Sequence, residues 1–120
     1  MSQVALVALL FAGAVQDGER DWIRVTPARP GDQIVCVDRA TIAVRDSGWT
    51  YFEAVFCDDV EAGHEERSLL AFEIDCANDW SEGGEMRLGR IGDSMHSARV
   101  GARDNGSELA KAVCAAVEPH

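Results

Sequence analysis

The groups most able to do chemistry are crowded into one short stretch. Asp58, Asp59, Glu61, His64, Glu65 and Glu66 fall within nine residues, and hard oxygen donors at that density are the raw material of a Ca²⁺ site. A calcium loop also needs alternate ligand spacing around a fixed turn glycine, and the EF-hand pattern is absent. The stretch therefore reads as a solvated acidic connection, and neither a metal nor any other cofactor is expected. A second group, Asp93, Ser94, His96 and Ser97, contains the residue types of a Ser/His/Asp triad. Sequence neighbours on a strand point to opposite faces, however, and no nucleophile elbow is present, so no catalytic residue is expected and the chain does not read as an enzyme.

The third group is the cysteines. Cys36, Cys57, Cys76 and Cys114 are separated by 21, 19 and 38 residues, without the close pairs that zinc sites use. An even number in a short chain reads as two disulfides in an oxidising compartment. Four cysteines admit three pairings, and the spacing alone does not choose among them.

The compartment has a second pointer. The first sixteen residues carry no charge, and the apolar run Val4 to Ala12 is too short to cross a bilayer as a helix. With Ala12-Gly13-Ala14 supplying small residues at the cleavage positions, residues 1–14 read as a signal peptide and 15–120 as one exported domain, periplasmic or extracellular. No cysteine follows the apolar run directly, so neither a lipid anchor nor membrane insertion is expected. Net charge is −10, from 21 acids against 11 bases. A phosphate backbone would repel such a chain, so nucleic acid drops out as a partner class.

Positioning these groups falls to a mainly antiparallel domain. Short apolar stretches alternate with turn signals and no βαβ period is visible. Strands are expected at Trp22 to Thr26, Ile34 to Val37, Thr41 to Arg45, Trp49 to Cys57, Arg67 to Cys76, Glu85 to Ile91 and Met95 to Arg103. Asp58 to Glu66 is expected as a polar connection and Asn78 to Gly84 as a loop that could display Trp80, whereas Trp49 and Tyr51 read as surface anchors or core. The period then changes from 2 to 3.6. Asn105 with Glu108 forms a candidate capping box, and Leu109, Val113, Ala116 and Val117 recur as the inner stripe of one C-terminal helix, with Cys114 beside it. The fold class is α+β: an antiparallel sheet of about six strands, a C-terminal helix packed on one face, and two disulfides.

Four short motifs carry a resemblance. They are Asp21-Trp22-Ile23-Arg24-Val25, the Val37-Asp38-x-x-Thr41-Ile42 step, Ile74-Asp75-Cys76, and Ala112-Val113-Cys114. In this layout, over roughly residues 21 to 115, the chain resembles the surface-adhesin protein E family of exported bacterial proteins. It departs from that pattern in the extra cysteines Cys36 and Cys57 and in lacking a Trp and Pro shortly before Cys114. The resemblance implies an antiparallel sheet with one packed helix. It also implies a Cys76–Cys114 bridge, which leaves Cys36 to pair with Cys57. In function it implies an adhesin-like binding module without catalysis, whose partner is a protein or envelope macromolecule. Charge supplies a second reading, an acidic periplasmic inhibitor or immunity-type protein that blocks a basic hydrolase such as a lysozyme. Either role draws on Asp58, Asp59, Glu61, Glu65 and Glu66, with Trp80, as the candidate binding residues.

Overall fold

Thr50–Phe56 forms the strand around which the rest is built, and its seven residues TYFEAVF are aromatic and β-branched enough to suit a pleated surface buried on both sides. The computed structural model describes residues 20–117; the signal-peptide reading of residues 1–14 lies outside them. Six strands, β1 (Trp22–Val25), β2 (Val35–Val44), β3 (Thr50–Phe56), β4 (Leu70–Ile74), β5 (Gly84–Gly89) and β6 (His96–Val100), make one sheet in sequence order. Every neighbouring pair is antiparallel. Helix α2 (Asn105–Val117) packs on one face of this meander, the α+β arrangement expected.

Alternation along the strands divides the sheet into two faces. On the helix side Val37, Phe52, Ala54, Ile74 and Met86 meet Leu109, Ala110 and Val113 of α2 in the main core, with Phe52 and Phe72 stacked across β3 and β4 at 5.0 Å. On the other side a smaller cluster joins Cys36, Val55 and Cys57 to Trp22, Ile34, Val60 and Leu69. Each cluster holds one disulfide. Cys76–Cys114 fastens the end of β4 to the helix, and Cys36–Cys57 fastens β2 to the residue that follows β3.

The structure revises four local expectations. The strands expected at Ile34 to Val37 and Thr41 to Arg45 are one ten-residue strand, β2, whose register against β3 shifts between Asp38 and Ala43. Side chains take over the ladder at that bulge. Asp38, 2% exposed, accepts the backbone N–H of Asp21 and of Ala40 and binds the Arg20 guanidinium, while Thr41 donates its hydroxyl to the Asp38 carbonyl and accepts the N–H of Glu53. Satisfied in this way, the irregularity bends the strand without ending it.

Second, Asp58 to Glu66 is not an open connection. It begins in a short helix, α1 (Cys57–Glu61), and ends in a 3-10 turn, Glu65–Arg67. Third, Asn105 does not close a capping box. Its side-chain oxygen accepts the N–H of Ala28 and its amide donates to Asp32, which ties the start of α2 to the β1–β2 loop. Fourth, Ala116 is exposed, and the inner stripe runs through Ser107, Leu109, Ala110 and Val113.

Candidate functional site

Phe56 ends β3 on the helix-side face, in register with Val35 of β2. It is 41% exposed: α2 packs mainly over β1 and β2, and of the helix only Leu109 lines the groove beside it. Beside it runs a groove of about 620 Å³, floored by Val35, Ala54, Leu70, Phe72 and Leu109. Its far wall is Ile91, 45% exposed, in the turn between β5 and β6. Polar groups stand at the rim: Glu66, Arg67 and Ser68 on one side, Arg90 and Asp93 on the other. A second cleft of about 490 Å³ shares Leu70, Arg90 and Asp93 with it and continues along Leu88 and Ala98.

The acidic stretch is the hook that frames this groove. Its α1 end turns Cys57 and Val60 into the cluster on the opposite face, while its far end brings Glu66 to Leu69 to the groove. Hydrogen bonds hold the hook in shape. The Ser68 hydroxyl donates to Asp59 at 2.6 Å and accepts the Phe56 N–H at 3.0 Å; the N–H of His64 reaches the Asp59 carbonyl and that of Leu69 the Glu65 carbonyl. Asp58, Glu61 and Glu66 are exposed, and Asp59 and Glu65 half-buried. Glu61 lies 3.5 Å from Arg24, and Glu66 3.6 Å from the His64 ring. Among the described residues no three acidic, histidine or cysteine side chains are placed to hold a metal ion.

Trp80 does not belong to this surface. Expected on display in its loop, it is only 4% exposed and forms part of the main core. Asp79 caps the 3-10 turn Trp80–Glu82 by accepting the N–H of Ser81. That bond holds the Asp79 carboxyl below its ordinary range. Gly84 leaves room under the indole, which a Cβ at that position would crowd. The indole N–H is met by the Asp75 carbonyl at 2.9 Å, so burial leaves no polar atom unpaired.

The opposite face of the sheet carries stacked cations. Arg45 lies over Tyr51 at 4.1 Å and Arg87 over Trp49 at 3.9 Å, so both aromatic residues are half-buried under guanidinium groups. The Tyr51 hydroxyl donates to Glu53 at 2.7 Å, and Arg20 bridges Glu53 and Asp38. Burial and the Glu53 carboxylate both push the Tyr51 phenol up, to about 12. Burial works against the Arg20 charge, but its two carboxylate partners outweigh that and hold its pKa above the ordinary value. Asp93, Ser94 and His96 all line the second cleft, and no hydrogen bond joins them among the described residues.

The groove was not anticipated from the sequence. Phe52, Ala54 and Phe56 share a face by parity, and Ile91 is an isolated apolar residue within Arg90-Ile91-Gly92-Asp93. The missing information was which strands the helix lies over, which periodicity does not encode. Compared with known proteins, the chain matches no family model, no curated protein and no solved structure.

Proposed function

We propose that the protein is an exported, adhesin-like binding module without catalytic activity, which engages a protein or envelope macromolecule through the groove beside Phe56. The observation that carries this reading is the pairing of Phe56 and Ile91, large apolar side chains left 41% and 45% exposed across a cavity floored by apolar residues. Contiguous apolar surface of this kind is costly to leave in water and marks sites that another molecule covers. The frame suits a rigid docking surface: two disulfides and a six-stranded sheet fix the groove walls, and no helix among the described residues is long and apolar enough to cross a membrane. Export is supported by the disulfides and by the uncharged Val4 to Ala12 run.

The acidic hook at the rim favours the inhibitor-type role as the second reading, since a basic enzyme would be drawn to it. Capture from periplasmic and secreted fractions, with the parent chain beside a Phe56→Ser/Ile91→Ser variant, separates these roles. The expected result is a defined partner that the parent retains and the variant loses; a single hydrolase whose turnover stops on binding would favour the inhibitor. The same proteins retained by both forms would refute the groove as the binding site.

A further inference from the structure

β6 is an edge of the sheet, and among the described elements only β5 pairs with it. On its free side, alternate N–H and C=O groups of His96–Val100 point away from β5, and no group among the described residues bonds to them. Edge strands are usually shielded by a proline, a bulge or a covering element. The sequence HSARV has no proline, and its register against β5 runs unbroken from Val100 to His96. We infer that β6 is a strand-addition site, which takes an extended segment of a partner protein as a seventh, antiparallel strand with an apolar side chain beside Ala98 and a carboxylate beside Arg99. The inference does not depend on the groove beside Phe56, although the two surfaces adjoin at Leu70 and Arg90.

Three observations set that chemistry. The unpaired row of backbone groups is matched by another strand, whose own amides and carbonyls repeat at the same spacing. Next, the cleft of about 490 Å³ runs along one face of β6, over Leu88, Ala98 and Leu70. Ala98 is half-buried and ends in a methyl group, so a strand laid beside it, with neighbouring Cβ atoms about 5 Å apart, can fill the cleft with a larger apolar side chain. Third, Arg99 points to the opposite face of the sheet from Ala98. It is exposed and has no carboxylate within 4 Å among the described residues, although Glu85 is its register partner on β5. A carboxylate on the added strand, opposite Arg99, supplies a cross-strand pair. A second copy of β6 would satisfy the backbone but not these positions. Antiparallel pairing centred on Ala98 sets Ala98 against Ala98 and Arg99 against Ser97, which leaves the cleft unfilled and the guanidinium without an acid.

Fluorescence polarisation with an end-labelled peptide tests this. The peptide Thr-Val-Glu-Leu-Thr-Val-Thr places Leu opposite Ala98 and Glu opposite Arg99 in the antiparallel register. Two further forms are N-methylated, one on the Val and Leu amides and the other on the Glu and inner Thr amides. An added strand turns only one of these sets toward β6, so one methylated form should bind as the parent peptide does and the other should bind at least tenfold more weakly. Replacing Leu by Ser should weaken binding roughly tenfold, the scale of one buried apolar side chain. Replacing Glu by Gln, or Arg99→Gln in the protein, should weaken it about two- to fivefold at low salt, as for one exposed ion pair, and both changes together should cost no more than either alone. Peptide binding should also slow amide exchange on His96–Val100, and the Phe56→Ser/Ile91→Ser variant should bind the peptide as the parent does. Equal binding by the two methylated forms, or no binding of the parent peptide, would overturn the inference. Loss of binding in the Phe56→Ser/Ile91→Ser variant would overturn it by placing the peptide in the groove. A chain that sediments as a dimer, with exchange on His96–Val100 already slow, would overturn it in favour of a second copy.

Discussion

At the scale of single residues, the sharpest consequence concerns Tyr51, the one tyrosine of the chain. Its phenol is raised from 10.0 to about 12, by burial first and by the bond to Glu53 second. The folded state thus keeps this proton where the unfolded state has released it, so the contribution to stability is whole below pH 10 and is lost as pH rises toward 12. A rapid absorbance titration should place the phenolate midpoint near 12 in the folded protein, and Glu53→Gln should lower it. A midpoint near 10 in the native state would contradict the Tyr51–Glu53 bond. Trp80 makes the complementary case. Truncation of a buried aromatic of this kind, Trp80→Ala, should cost about 3–5 kcal/mol in denaturant unfolding. Trp80→Phe should cost about 1 kcal/mol, mainly for the bond to Asp75. Near-neutral values would return Trp80 to the surface. Its burial was illegible in Asn78-Asp79-Trp80-Ser81-Glu82, a polar run, because the cause lies in Gly84 and in the core beneath it.

At the scale of elements, the two disulfides do different work. In the chain-entropy model, closing the 21-residue span contributes about 3 kcal/mol and the 38-residue span about 4 kcal/mol. Cys76→Ser/Cys114→Ser frees α2, the lid of the main core, whereas Cys36→Ser/Cys57→Ser frees the hook. The first variant should therefore show the larger loss of midpoint in urea. The second should keep most of the fold and loosen the groove rim, seen as faster amide exchange at residues 58–69. Equal losses, with no change in the hook, would contradict this division. Most elements were legible because their cause is local: alternation in Thr50–Phe56 and the change of period at α2 each follow from a few adjacent residues. The continuity of β2 was not, since Asp38-Arg39-Ala40 reads as a break until Arg20, Asp21 and Glu53 are brought to it from distant positions. Asn105 was misread for the same reason, its partners Ala28 and Asp32 lying more than seventy residues away.

At the scale of the whole molecule, the acidic stretch and the groove meet at one end of the sheet, where β3 ends, β4 begins and β5 ends. Five of its carboxylates could be read directly from the sequence, but their apolar neighbour could not. Phe56, Leu70, Ile91 and Leu109 come from four separate segments, and the groove is left open where α2 packs over β1 and β2 and not over the ends of β3 and β4. Phe56→Ser and Ile91→Ser lie on exposed positions, so this double variant should unfold within about 1 kcal/mol of the parent and serves as a clean control for binding. The most direct measurement is an amide chemical-shift map recorded while N-phenyl-1-naphthylamine is titrated into the parent chain. The account predicts saturable shifts gathered at Phe56, Ser68, Leu70, Ile91 and Leu109, absent in the double variant. Shifts gathered instead around Tyr51, Arg45 and Arg87 on the opposite face, or none that saturate, would contradict it.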